Sequence, residues 1–186
     1  MEAIFAYAQL NARVQPLDRG DRYEDPLQDA LATNGWAEVT GGGTSQELNG
    51  EIKYCGIDLD LIDVENSVPL ICQVLESCGA PNGSKLTFEI NGTKQEISFG
   101  KLEGLAIYFN GTDLPAEVYQ TCDINFVAEE INRLLGDCGS IQSHWQGPTE
   151  TALYLYGHSA QEMRELIAVF MAEYPLCQQA RLQVIT

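Results

Sequence analysis

Positive charge is what this sequence has least of. Ten Lys and Arg stand against 27 Asp and Glu in 186 residues, for a formal net charge of −17. The excess is not a tail: up to Glu96 the chain carries 16 acidic and 6 basic residues, and beyond it 11 and 4. Gripping phosphate needs Lys and Arg, so the balance argues against nucleic acid or an anionic membrane as a partner. Acidity of this kind keeps a protein soluble, and its field would also steer in a basic protein partner. No apolar run approaches the roughly 20 residues that span a bilayer. The start, Met1-Glu2-Ala-Ile-Phe-Ala-Tyr, lacks the basic leading segment of a secretion signal. A cytoplasmic protein is the expectation.

Catalytic and metal-binding signatures are missing as well. There are two histidines, His144 and His158, and neither belongs to a nucleophile motif: there is no G-x-S-x-G and no Cys-His signature. Six cysteines (Cys55, Cys72, Cys78, Cys122, Cys138, Cys177) include no C-x-x-C pair, and no His lies at a zinc-finger spacing from them. They read as free thiols acting as small hydrophobes, Cys55 beside Gly56 among them. Asn82, Asn91 and Asn110 each open an Asn-Gly-Ser/Thr triplet, which without secretion is turn chemistry. Asp58, Asp60, Asp63 and Glu65 form a carboxylate cluster, but they lack the glycine turn of a calcium loop and read as solvated strand residues. Gly41-Gly-Gly-Thr44 has neither the lysine nor the following helix of a phosphate-binding loop, and reads as a flexible or bulged hairpin. No cofactor and no metal is called for.

What the sequence does contain is architecture, centred on Trp36 to Asp63. Residues 3 to 14 alternate, with Ile4, Ala6, Ala8, Leu10, Ala12 and Val14 on one face, as in a strand with one face on a core. Pro16 to Tyr23 reads as a charged loop. Asp25-Pro26 opens a short helix with Leu27, Ala30 and Leu31 inward, and Gly35 ends it. A hairpin follows, with Cys55, Ile57, Leu59 and Leu61 pointing one way and Asp58 and Asp60 the other. Asn66 or Ser67 caps a second helix carrying Val68, Ile71, Val74, Leu75 and Cys78, stopped at Gly79. Lys85 to Ile90 is a fourth strand, and Asn91-Gly92 signals a hairpin to an extra strand, Thr93–Phe99, bridging to the second half.

Strand, helix, strand, strand, helix, strand is the ferredoxin-like order. The second half repeats it. Leu105 to Phe109 is a strand, and Asp123 caps a helix with the stripe Ile124, Val127, Ala128, Ile131, Leu134 and Leu135. Ile141–Trp145 and Thr151–Tyr156 form a hairpin around Gly147-Pro148. Ser159-Ala-Gln-Glu162 opens a helix with Met163, Leu166, Ile167, Phe170, Met171 and Tyr174 on one face, and Arg181–Ile185 is the last strand. Leu70-Ile71 and Leu86 recur 96 residues on as Leu166-Ile167 and Leu182. The expected fold is α+β, a tandem pseudo-repeat of two ferredoxin-like βαββαβ units with mainly antiparallel sheets. The halves are 1–99 and 100–186, as two domains or packed as one.

A lone unit of this kind leaves one sheet face bare. On it the alternation places Phe5, Tyr7, Asn11, Arg13, Trp36, Glu38, Tyr54, Asp58, Asp60 and Thr87. In the second half it places Tyr108, Tyr154 and Tyr156, with His144 or Trp145 according to register. Burial between the halves accounts for these aromatics, and a ligand surface is the alternative. The candidate binding surface is Trp36, Glu38, Gly41, Gly42, Gly43, Tyr54, Asp58, Asp60, Trp145, Tyr154 and Tyr156.

The hairpin Glu38-Val-Thr-Gly-Gly-Gly-Thr44…Asn49-Gly-Glu-Ile52…Ile57-Asp-Leu-Asp60 resembles a pattern in small uncharacterised bacterial proteins. The resemblance spans about 30 residues and implies no activity, cofactor or site residue. By class, acidic proteins of this size without a catalytic signature look like immunity proteins that neutralise a toxin. The expected function is therefore non-enzymatic: an acidic surface that binds another, basic, protein. The alternatives are a small-molecule binder or enzyme using a cleft or sheet face between the halves, and a structural homo-oligomer.

Overall fold

Alternating burial makes the first strand what the pattern predicts, and the rest of its sheet assembles around it. A computed structural model describes residues 3–186; Met1 and Glu2, with which the N-terminal segment begins, lie outside the described residues. Strand β1 (Ile4–Leu10) buries Ala6, Ala8 and Leu10 completely, and Ala12 and Val14 continue the buried face beyond it. The hairpin strands β2 (Ala37–Gln46) and β3 (Ile52–Leu61) follow, with Cys55, Ile57, Leu59 and Leu61 buried and Asp58 and Asp60 half-buried on the other face. Strands β4 (Ser84–Ile90) and β5 (Thr93–Phe99) complete an antiparallel sheet in the order β2-β3-β1-β4-β5.

The first helical segment departs from expectation. Pro16 to Tyr23 is not a loop. Helix α1 (Pro16–Arg19) runs through a π-helical turn, Gly20–Glu24, into α2 (Asp25–Ala32), so Asp25 lies inside a continuous helical path and does not cap it. Two side chains hold this charged stretch in place. Arg19 Nε donates to Glu24 Oε1 at 2.6 Å and its Nη1 donates to Thr44 Oγ1 at 3.0 Å, while Tyr23 is fully buried. The wide turn also accommodates Pro26, which has no N–H and would crowd the Arg22 carbonyl in a regular α-helix. Asp25 N–H reaches back five residues to Gly20 instead.

Helix α3 (Val64–Ser77) is capped by Asp63, whose carboxylate accepts from Asn66 N–H at 3.2 Å, and not by Asn66 or Ser67. Gly79, at φ +87°, ends it as expected. Tyr23, Leu27, Leu31, Ile71 and Leu75 pack on one face of the sheet against Ala6, Ala8, Ile57, Leu59 and Leu86.

The second unit repeats the plan. Strands β6 (Glu103–Asn110), β7 (Gly139–Gln146), β8 (Glu150–Gly157) and β9 (Arg181–Val184) form an antiparallel sheet ordered β7-β8-β6-β9, the same order as β2-β3-β1-β4. A short helix, α4 (Ala116–Thr121), precedes α5 (Ile124–Leu135), which Asp123 caps through Asn125 N–H at 2.8 Å. Ser159 caps α6 (Ala160–Glu173) through Glu162 N–H. Val127, Ile131, Leu135, Met163 and Ile167 are buried against Leu105, Ile107 and Leu155. Leu166, expected on the same stripe, is instead exposed on α6. The chain is thus α+β, with two ferredoxin-like βαββαβ units. By internal packing one unit takes the chain up to Glu47 and Ile52–Lys101, and the other takes Leu48–Glu51 and Leu102–Thr186.

A detail confirms the repeat at a level that sequence identity does not reach. Each unit's outer hairpin strand carries a β-bulge, between Val39 and Gly41 in β2 and between Ile141 and Ser143 in β7. The amide just before each bulge is taken by a helix side chain. Gln28 Oε1 of α2 accepts from Val39 N at 3.1 Å, and Asn132 Oδ1 of α5 accepts from Ile141 N at 2.9 Å. Both devices blunt a sheet edge that would otherwise present open backbone.

Candidate binding surface

The first sheet's face away from its helices gathers most of the expected residues. Register sets Glu38 against Asp60, Asp60 against Phe5, and Asp58 against Tyr7, which in turn lies opposite Thr87 of β4. Tyr54 joins the face opposite Ser45. Phe5 is 59% exposed, a large apolar side chain among carboxylates. The Tyr7 ring lies across Gly56, where any Cβ would collide with it. Burial first, then the neighbouring Tyr54 and Asp58, push the Tyr7 phenol above its ordinary pKa, so it stays neutral. At one end of this face a groove of about 550 Å³ is lined by Phe5, Tyr7, Thr87, Phe88, Glu89 and Lys94, with Ile4 at its edge.

The glycine run is not part of this face as a whole. Gly41 lies opposite Asp58, and a Cβ there would sit 3.5 Å from its Oδ2. Gly42 points to the helix side, where a Cβ would run into the Glu24 carboxylate and lie 2.8 Å from the Gly56 carbonyl. It is the floor on which the Arg19–Glu24 pair rests. Gly43 has open space beside it. Trp36, half-buried, precedes β2 and acts through its backbone: its carbonyl accepts from Ile62 and Asp63 N–H at 2.8 and 2.9 Å.

The remaining expected residues belong to the second unit and are buried. Trp145, Tyr154 and Tyr156 cluster with Ala106, Tyr108 and Ala152 on the face of that sheet opposite its helices. The bulge in β7 settles the register: Trp145 lies opposite Ala152 on the aromatic face, and His144 lies opposite Leu153 and is exposed. Glu51, which no sequence signal marked, belongs to this unit, and its Oε1 accepts from the Tyr108 and Tyr154 hydroxyls at 2.6 and 2.8 Å. The Arg181 guanidinium lies 4.0 Å over the Tyr108 ring.

The other reactive groups are quiet. Burial pushes the Cys55 thiol up to about 12, and Cys72 and Cys177 to about 11, so they are protonated at neutral pH. A hollow of about 300 Å³ in the second unit is lined by Phe109, Ile124 and Leu176, with Tyr119 and Asp123 hydrogen-bonded within the unit. The Tyr119 hydroxyl accepts from Leu114 N–H and donates to the Asn110 carbonyl, and Asp123 caps α5. Among the described residues no group of three His, Cys, Asp or Glu could hold a metal ion, and no helix is long and apolar enough to cross a membrane.

The positive charges are largely taken up within the chain. Lys53 pairs with Glu47, Lys85 and Lys94 with Glu96, Lys101 with Glu76, Arg133 with Glu130, and Arg181 with Glu150, besides Arg19 with Glu24. The uncompensated surface charge is therefore negative.

No family model matches the sequence, and no curated protein matches it. Among solved structures, a proposed monooxygenase from Fusobacterium nucleatum is similar at 10% identity and TM-score 0.33, covering 100% of this chain and 93% of that one. The regulatory subunit of aspartate kinase from Thermus flavus is similar at 10% identity and TM-score 0.29, covering 91% and 94%. A proposed glycine cleavage system transcriptional repressor is similar at 8% identity and TM-score 0.33, covering 98% and 96%. At these identities and scores no activity passes from them to this chain, and the fold description stands on strand order and register.

Proposed function

We propose that the chain is a non-enzymatic cytoplasmic protein that binds a basic protein partner through its acidic surface, with toxin neutralisation as the concrete version. One observation carries this reading: Asp60 lies opposite an exposed Phe5, with Asp58 and Glu38 beyond it on the same sheet face, while most cations are spent on internal ion pairs. Such a face offers an apolar anchor inside a negative field. A complementary field accelerates encounter and rejects acidic competitors, and the anchor slows dissociation.

The test is a titration against basic nuclease and pore-forming toxin domains at about 50 mM and about 500 mM salt. The expected result is an association that weakens at least ~10-fold at the higher salt, and that Glu38→Gln/Asp58→Asn/Asp60→Asn slows mainly in its on-rate. Absence of salt-sensitive association with every basic protein tried would defeat the proposal.

A further inference from the structure

Among the described residues four strands lie at sheet edges, and three of them are blocked. β2 and β7 carry bulges and helix-borne amide caps, and β9 has only four residues. The fourth is β5, a seven-residue strand paired to β4 without a register shift. Thr93, Lys94, Glu96, Ile97 and Ser98 along it are all exposed. A straight, exposed edge is a ready template for another strand.

Which strand fits follows from the turn. Asn91 and Gly92 sit at φ +52° and +76° in a two-residue hairpin loop that flanks Ile90 with Thr93. Such a loop makes its flanking residues a hydrogen-bonded pair, so Thr93, Gln95, Ile97 and Phe99 turn their amides toward β4. Lys94, Glu96 and Ser98 turn theirs outward. An added antiparallel strand must pair with those three.

We propose that β5 pairs antiparallel with β5 of a second copy of this chain, centred on Gln95, joining two five-stranded sheets into one of ten strands. Only this register is favourable in charge. About Gln95, Lys94 of each copy faces Glu96 of the other, twice across the two-fold axis, and Ile97 faces Thr93. About Lys94 the register sets Lys against Lys, and about Glu96 it sets Glu against Glu, and like charges directly opposite repel. The strand is thus complementary to itself, as a two-fold interface requires. The surroundings permit approach despite the net charge of −17. Along β4 and β5 the charged residues are Lys85, Glu89, Lys94 and Glu96, two of each sign, so this edge is locally neutral.

The contact is narrow, so the association is weak and the test is sedimentation velocity from about 1 µM to about 500 µM at near-physiological salt. The expected result is a mass that rises with concentration from 20.5 kDa toward twice that value. Lys94→Glu and Glu96→Lys should each weaken the dimer at least ~10-fold, and the double variant Lys94→Glu/Glu96→Lys, which restores unlike pairs, should recover it to within ~3-fold. Far-UV circular dichroism of each variant checks that the fold is kept. A monomer throughout the range overturns the proposal. So does a dimer indifferent to the single reversals, or a double variant that stays monomeric.

Discussion

Three adjacent glycines in β2 look interchangeable in the sequence, and the structure gives them separate duties. Gly42 is a floor for the Arg19–Glu24 ion pair, whereas Gly43 faces open space. Gly42→Ala should therefore destabilise the protein by about 1–3 kcal/mol, because a Cβ displaces the pair or the Gly56 carbonyl. Gly43→Ala should be neutral or stabilising by up to about 1 kcal/mol, since Ala narrows the unfolded ensemble at no native cost. Urea-unfolding midpoints of the two variants check this, and equal losses would show that the distinction has no energetic content. The same neighbourhood explains why Arg19 and Glu24 were not legible as structural residues. A pair whose purpose is to lie on a strand far along the chain leaves no local periodicity. Glu51, which accepts from two tyrosine hydroxyls, leaves no local signal for the same reason: it sits in a polar loop, and its partners lie more than fifty residues away.

At the scale of elements, the strands and the long helices were legible because burial imposes a period. The alternation of β1 and β3 and the stripes of α5 and most of α6 appear where the residues place them. The segment from Pro16 to Glu24 was not legible, since seven of its nine residues are Asp, Glu, Arg, Gly or Pro and Tyr23 is the one buried side chain in it. A bulge in β2 was expected from its glycine run, but the bulge in β7 and the Gln28 and Asn132 caps were not legible, because they depend on a helix coming to rest beside an edge strand. Removing the Gln28 cap orphans a partly buried amide, whereas the amide that Asn132 caps is exposed to water. Gln28→Ala should cost about 1–2 kcal/mol and Asn132→Ala, whose bond is exposed, about 1 kcal/mol or less, and they should speed hydrogen exchange at Val39 and Ile141 respectively, with distant strand amides unchanged. Unaltered exchange at those two amides would mean that water serves as well as the side chain.

For the molecule as a whole, charge sets the response to pH. Hydrogen bonds from Asn66 to Asp63, from Lys101 to Glu76 and from Arg133 to Glu130 hold these three carboxylates below their ordinary range. Groups lowered in the folded state contribute stability that is fully present above their unfolded values of about 4, and that is lost as pH falls through the lower folded values. Opposing them is the mutual repulsion of a chain carrying −17, which weakens as the pH approaches its isoelectric point near 4.2. The melting temperature at constant ionic strength should therefore hold or rise from pH 7 to about 5, and fall below about 4. Asp63→Asn, which keeps an oxygen for the helix cap, should flatten part of the acid limb. A melting temperature still climbing below pH 4 would show that repulsion outweighs all three bonded carboxylates.

The chain's own pattern was enough for the class of fold, the duplication and the extra β4–β5 hairpin, because each rests on short-range rules: the period of two in a strand, the 3.6 of a helix, a cap, an Asn-Gly turn. The candidate surface was only half legible. Its carboxylates and its second-unit aromatics were placed on faces by alternation, and Trp145, Tyr154 and Tyr156 are buried as favoured for the aromatics, but alternation alone does not say which aromatics are covered, and Phe5 stayed exposed. Burial, the split duties of the glycines and the choice of which sheet edges stay open depend on what packs beside a residue from elsewhere in the chain. That is a property of the assembled sheet and helices.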